Sequence, residues 1–288
     1  MCSRYARQVR KCERAAQRVP RSPIPQVGRR DVIAERQNHR VAKRVSRWQL
    51  RGPGGLLADD GLAGLTAWRA TRGLIRILLF RVYRLRATDQ ERLRESGPLI
   101  YAPVHRSHLD GPLIGGLTQR RVRYLGKEEL FHPKPLGWFM RSIGTFPVRR
   151  GEADLDAMRA ALGLLQGGAA MLVFPEGTRQ PSDEIGTVFD GTAWLSAKSG
   201  APVLPVGIAG TREAMPSGAK FPKRTQVAIV VGEPLAAPTG PDGGRARRPD
   251  MTAWTATLRA ALEDCQRRAR ALANQPGRAR TPMRDLVP

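Results

Sequence analysis

The chain has 288 residues, 41% of them hydrophobic, which is enough for one sizeable α/β core with tails and excludes a wholly disordered polypeptide. Its three cysteines, Cys2, Cys12 and Cys265, are scattered and lack a CxxC pair, which argues against a disulfide scaffold and makes a reduced, cytosolic-side setting the default. A formal net charge of +24 favours polyanions (nucleic acid, anionic headgroups, phosphorylated substrates), yet 42 of the 49 basic residues are Arg, a bias that a GC-rich coding sequence also produces.

Residues 1–55 carry 15 Lys and Arg against Glu13, Asp31 and Glu35, with Pro20, Pro23, Pro25 and Pro53 and few large apolar side chains. Such a segment buries little surface and is expected to be a basic, disordered tail. Residues 1–20 show no apolar run of the signal-peptide kind. The next stretch, 56–94, is predicted to be an amphipathic helical segment. Within it Leu65, Trp68, Leu74, Ile75, Ile77, Leu78, Leu79, Phe80 and Tyr83 alternate with Arg69, Arg72, Arg76 and Arg81. These arginines interrupt the roughly 18 apolar residues that a spanning helix needs. The pattern fits a helix lying in an anionic membrane surface, and it fits a helix packed on the main domain.

From 95 to 237 strands and helices alternate. Apolar runs at 98–104, 122–126, 144–148, 170–174, 203–208 and 226–231 read as buried strands. Residues 107–119, 133–142, 152–166 and 188–199 read as helices between them. This order predicts a single α/β domain with a largely parallel or mixed central sheet flanked by helices. A Pro/Gly-rich linker is expected at 238–250, a C-terminal helix at 251–273 and a tail at 274–288.

Chemistry concentrates where predicted strands end. Val104-His105-Arg106-Ser107-His108-Leu109-Asp110 follows the first core strand. If a helix starts near Ser107, the carboxylate of Asp110 can fold back on the His105 imidazole and fix its tautomer, the minimal machinery for deprotonating a hydroxyl. The same spacing fits a helix capping box in which Asp110 takes backbone amides and His105 is incidental. His108 is a weaker base candidate, because side chains two apart on a helix do not face each other.

Phe174-Pro175-Glu176-Gly177-Thr178-Arg179 forms a tight loop after another strand. Gly177 lets backbone amides approach an anion, and Arg179 can clamp a phosphate. Glu176 can hold an acceptor hydroxyl or steady Arg179. Gly144 to Arg150 adds adjacent arginines, with Arg149 preferred over Arg150, and the apolar Ala201–Val206 run is assigned to the pocket wall.

Together these four blocks, in this order, resemble the glycerolipid acyltransferases typified by 1-acylglycerol-3-phosphate O-acyltransferase (lysophosphatidic acid acyltransferase). The likeness covers about residues 95–235. The Phe174–Arg179 block matches that family's FPEGTR residue for residue, and His105 and Asp110 match its H-x4-D pair. Val104 stands where the family usually has Asn. The resemblance implies that His105 is the general base and Asp110 its partner, with Ser107 and Arg106 in support. It further implies that Arg149, Glu176, Gly177, Thr178 and Arg179 hold the acceptor. The donor would be acyl-CoA or acyl-carrier protein, used as a substrate, with no metal and no other cofactor.

The expected function is transfer of a fatty acyl group to a lysophospholipid or glycerol-phosphate acceptor in phospholipid biosynthesis, on the cytoplasmic face of a membrane with peripheral or monotopic attachment. Three alternatives stand beside it: a different acceptor, such as glycerol-3-phosphate or a glycolipid; a degenerate member that binds lipid without turnover; and, remotely, a nucleic-acid-binding protein. Specific nucleic-acid binding is not expected, because aromatic residues are only 6% and none cluster in the basic tail between residues 6 and 47.

Overall fold

The computed structural model describes residues 62–148, 155–216, 218–219, 221 and 223–276. The expected basic tail at 1–55, residue 149 and all but the first residues of the C-terminal tail lie outside that set.

The first described element is a helix, α1 (Leu62–Val82), in the arginine-interrupted segment. Then come β1 (Arg86–Thr88), β2 (Leu99–Pro103), α2 (Asp110–Leu117), β3 (Val122–Lys127), α3 (Lys134–Ser142), β4 (Thr145–Val148) and α4 (Leu155–Gln166). β5 (Ala170–Leu172), α5 (Gly191–Ser199), β6 (Val203–Ala209), α6 (Thr211–Ala214), β7 (Ala228–Val231) and α7 (Arg248–Asn274) complete the order.

The seven strands form one sheet in the order β1-β7-β6-β2-β5-β3-β4. β6, β2, β5, β3 and β4 are mutually parallel; β7 turns antiparallel to β6, and β1 pairs parallel with β7. The expected mixed, mostly parallel sheet is therefore present. The sheet reaches back to Arg86, before the expected core boundary at 95. β1 is only three residues long and half-buried, too short to show a strand period in sequence. The stretch read as a linker at 238–250 contributes a bridge between Thr239 and Arg245 and the first residues of α7.

Every residue of β2 and of β6 is buried, as expected for central strands covered by helices on both faces. α7 packs along β6 and β7. Its buried residues Leu258, Leu262, Cys265, Ala269 and Leu272 recur at three- and four-residue steps, so one stripe meets the sheet. Burial raises the Cys265 thiol to about 11, so it stays a neutral packing group. The helix approaches so closely at Gly207 that a Cβ there would lie 2.2 Å from the Cys265 carbonyl oxygen. Gly207→Ala is expected to push α7 off β6 at a cost of about 1–3 kcal/mol, measured as a lower urea midpoint at unchanged slope.

β2 leads through α2 to β3, beyond β5, whereas β5 leads through α5 to β6, on the other side of β2. The two connections leave adjacent strands in opposite directions. The crevice at such a switch point, outside the carboxyl ends of the strands, is where open α/β sheets place ligands. The loops after β2 and β5 carry His105 and Glu176.

Candidate active site

The first turn of α2 resolves the two readings of the His105 segment, because both geometries occur at once. The helix begins at Asp110, later than the expected 107, and its Leu109 N-cap gives no side-chain cap. The Asp110 carboxylate reaches backwards instead. Its Oδ2 accepts the backbone N–H of Arg106 at 2.6 Å and of Ser107 at 2.7 Å. The same oxygen lies 3.1 Å from His105 Nδ1. Asp110 is fully buried, so these donors take the place of water. With Nδ1–H facing Oδ2, the neutral ring carries its lone pair on Nε2.

His105 is fixed from a second side. Its ring stacks on Phe174 with centroids 3.7 Å apart and planes 16° from parallel. From sequence Phe174 is only the first residue of the block that resembles FPEGTR, with no role of its own. Ser107, also buried, donates its hydroxyl to the Met215 carbonyl at 3.1 Å and so ties the His105 loop to the segment after β6.

Glu176 has three protein donors around it. Its Oε2 accepts the His105 backbone N–H at 3.0 Å and Arg106 Nη1 at 2.8 Å, and its Oε1 accepts the Gly186 N–H at 2.8 Å. It is 1% exposed and Arg106 5%. The guanidinium that Glu176 holds is therefore that of Arg106, not Arg179. Arg106 also donates to the His105 and Glu184 carbonyls, each at 3.0 Å. The Gln180 N–H donates to the His105 carbonyl at 2.9 Å. His105 thus has its amide, its carbonyl and its ring all held by neighbours.

Gly177, Thr178 and Arg179 are exposed at the lip of this loop. Gly177 has φ +67°, a left-handed conformation that suits glycine. The Thr178 N–H closes a tight turn onto the Glu176 carbonyl at 2.7 Å. Arg179 makes no hydrogen bond or ion pair among the described residues and precedes Gln180, so a free guanidinium stands beside the His105 loop. Arg149 lies outside the described residues. The strand before it, β4, runs parallel with β2 and β5, so its carboxyl end is at the same edge of the sheet. Val104, in place of the Asn of the resembling family, is wholly buried in the core, and its N–H pairs with the Val206 carbonyl at 3.0 Å. Orientation of the His105 loop comes from Glu176 and Asp110. The Ala201–Val206 block leads into β6, and its Ala201, Val203, Leu204 and Val206 are core residues.

This arrangement, a His–Asp pair after one parallel strand locked by a buried Glu after its neighbour, coincides with a family match. Residues 84–209 match the family model described as Acyltransferase. The chain is 28% identical over 163 residues to the chloroplastic 1-acyl-sn-glycerol-3-phosphate acyltransferase of Brassica napus, covering 55% of this chain and 47% of that one, about half of its length. It is 31% identical over 170 residues to the lyso-ornithine lipid O-acyltransferase of Pseudomonas aeruginosa, covering 53% and 65%. In fold it is similar to the crystal structure of the 1-acyl-sn-glycerophosphate acyltransferase of Thermotoga maritima, with a TM-score of 0.58 and 22% identity over 84% of this chain and 90% of that one.

Proposed function

We propose that this chain is an O-acyltransferase that moves a fatty acyl group from acyl-CoA or acyl-carrier protein to the free hydroxyl of 1-acylglycerol-3-phosphate. The observation that carries this reading is the 3.1 Å contact between His105 Nδ1 and the buried Asp110 carboxylate, in a loop whose backbone Glu176 holds. His105 Nε2 takes the proton as the acceptor oxygen attacks the thioester carbonyl carbon. The resulting C–O bond and oxyanion define a tetrahedral intermediate. Its collapse breaks the C–S bond, and the departing thiolate takes the proton back from His105 Nε2. Asp110 keeps the ring oriented and offsets the positive charge that it carries between these steps.

Arg179, free of protein partners among the described residues, supplies a planar donor for the acceptor phosphate, with the exposed Gly177–Thr178 turn beside it. Arg149 is assigned to the same phosphate on the family resemblance. The reaction belongs to phospholipid biosynthesis and works at an anionic membrane surface on the cytoplasmic side. Among the described residues no helix is long and apolar enough to cross a membrane. Support for surface attachment comes from α1, which exposes Leu74 (56%) and Ile77 (52%) between its arginines.

A second acceptor class is favoured by one observation, the similarity to a relative named for lyso-ornithine lipid. A donor-by-acceptor activity matrix read by mass spectrometry decides between them. Product from lysophosphatidic acid but not from lyso-ornithine lipid is expected, and the reverse outcome reassigns the acceptor. Arg179→Ala is expected to raise KM for the phosphorylated acceptor about tenfold or more with little change for the donor, because the lost bond is to a charged group.

A further inference from the structure

Between the Phe174–Arg179 block and α5 runs a strap, residues 183–186, without regular secondary structure. Its backbone groups need partners from elsewhere, and it finds them on two sides. Toward the site, the Gly186 N–H donates to Glu176 Oε1 at 2.8 Å and the Glu184 carbonyl accepts Arg106 Nη2 at 3.0 Å. Toward α7, Arg259 Nη2 donates to the Ile185 carbonyl at 3.0 Å and Arg259 Nη1 to the Gly186 carbonyl at 3.2 Å. One guanidinium thus clamps two successive carbonyls, a fork geometry that Arg supplies and Lys does not. Glu263, one turn on, holds Arg259 Nε at 2.9 Å. Arg270, further along α7, donates to Asp183 Oδ2 at 2.6 Å.

We propose that Arg259 is a positioning residue for the acyl-transfer site, acting through the strap. The route is continuous: Arg259 holds the Ile185 and Gly186 carbonyls, Gly186 N–H holds Glu176, and Glu176 holds the His105 amide and Arg106. Arg259 lies on the C-terminal helix, beyond residues 84–209 and outside all four sequence blocks. The inference rests on the acyl-transfer reading of the site, but its geometry stands apart from the identity of the acceptor.

Arg259→Met keeps an apolar stem on α7 and removes both donors. The strap then slackens, and a base displaced by a fraction of an ångström loses rate rather than substrate affinity. A fall in kcat of about tenfold is expected, with KM for donor and acceptor each within about twofold. Arg259→Lys, with one ammonium for two carbonyls, is expected to recover part of that loss. Arg267→Met serves as the control: among the described residues Arg267 pairs with the half-buried Asp264 on its own helix, and its loss is expected to leave kcat unchanged. An activity-independent readout is hydrogen exchange, in which the His105 and Gly186 amides should lose protection in Arg259→Met while the β2 and β6 amides keep theirs.

Wild-type kcat in Arg259→Met, no gain from Arg259→Lys, a kcat loss matching the loss of folded protein, or unchanged protection at His105 and Gly186 would each overturn the proposal. Absence of acyl transfer by the wild-type chain across the whole donor and acceptor panel overturns the functional reading instead, and amide exchange then decides the relay alone.

Discussion

His105→Ala is expected to lower kcat/KM for acyl transfer by about a thousandfold while leaving the fold in place. A positioned general base contributes roughly 10² to 10⁴ in rate, and the role proposed for His105 places the loss in the middle of that range. The fold survives because the ring is peripheral to what holds the loop. Its stacking on Phe174 and its contact with Asp110 disappear, but Asp110 Oδ2 retains the Arg106 and Ser107 amides. The His105 backbone N–H also keeps its bond to Glu176. The check pairs steady-state kinetics with thermal unfolding. Full turnover by a well-folded alanine variant would remove His105 from the chemistry.

Glu176→Ala is expected to act in the opposite order, on stability first and on activity as a consequence. It removes one partner of an ion pair whose side chains are 1% and 0% exposed, leaving the Arg106 guanidinium buried with its charge uncompensated. Breaking a buried pair from one side costs about 3–5 kcal/mol, against a total stability of roughly 5–15 kcal/mol for a domain. The His105 and Gly186 amides lose their acceptor as well. Arg106→Met combined with Glu176→Leu is expected to be more stable than Glu176→Ala alone, because an apolar pair leaves no orphaned charge. It is nonetheless expected to be nearly inactive, since nothing then holds the His105 amide. Urea titrations of the single and double variants, with activity measured on the folded fraction, separate the two effects. Wild-type stability in Glu176→Ala would show that Arg106 finds another partner.

These two variants divide the site by how visible each part is in the chain. His105 and Asp110 sit five positions apart, and the approach of their side chains follows from a loop entering a helix. Their pairing is therefore a local property. The alternation of apolar runs likewise makes the parallel sheet legible, since β2, β5 and β6 are buried along their whole length. β1 is not legible: three residues give no period, and the buried Arg86 finds acceptors in the Leu272 and Gln275 carbonyls, 186 and 189 residues on.

The α/β class, the two strand-end loops and the nearness of His105 to Asp110 are all readable along the chain, because each rests on a short repeat or a short spacing. The contacts of Glu176, Arg106 and Phe174 around His105, and the reach of α7 toward the site, come from the folded arrangement alone. Glu176 meets His105 and Arg106 across about 70 positions of chain, and Arg259 meets Ile185 across 74. Such contacts are set by which strands become neighbours, and no local pattern encodes that. The same holds for the choice between backbone capping and a contact with His105 at Asp110. Spacing offered them as alternatives, and the fold made them one oxygen atom with three donors.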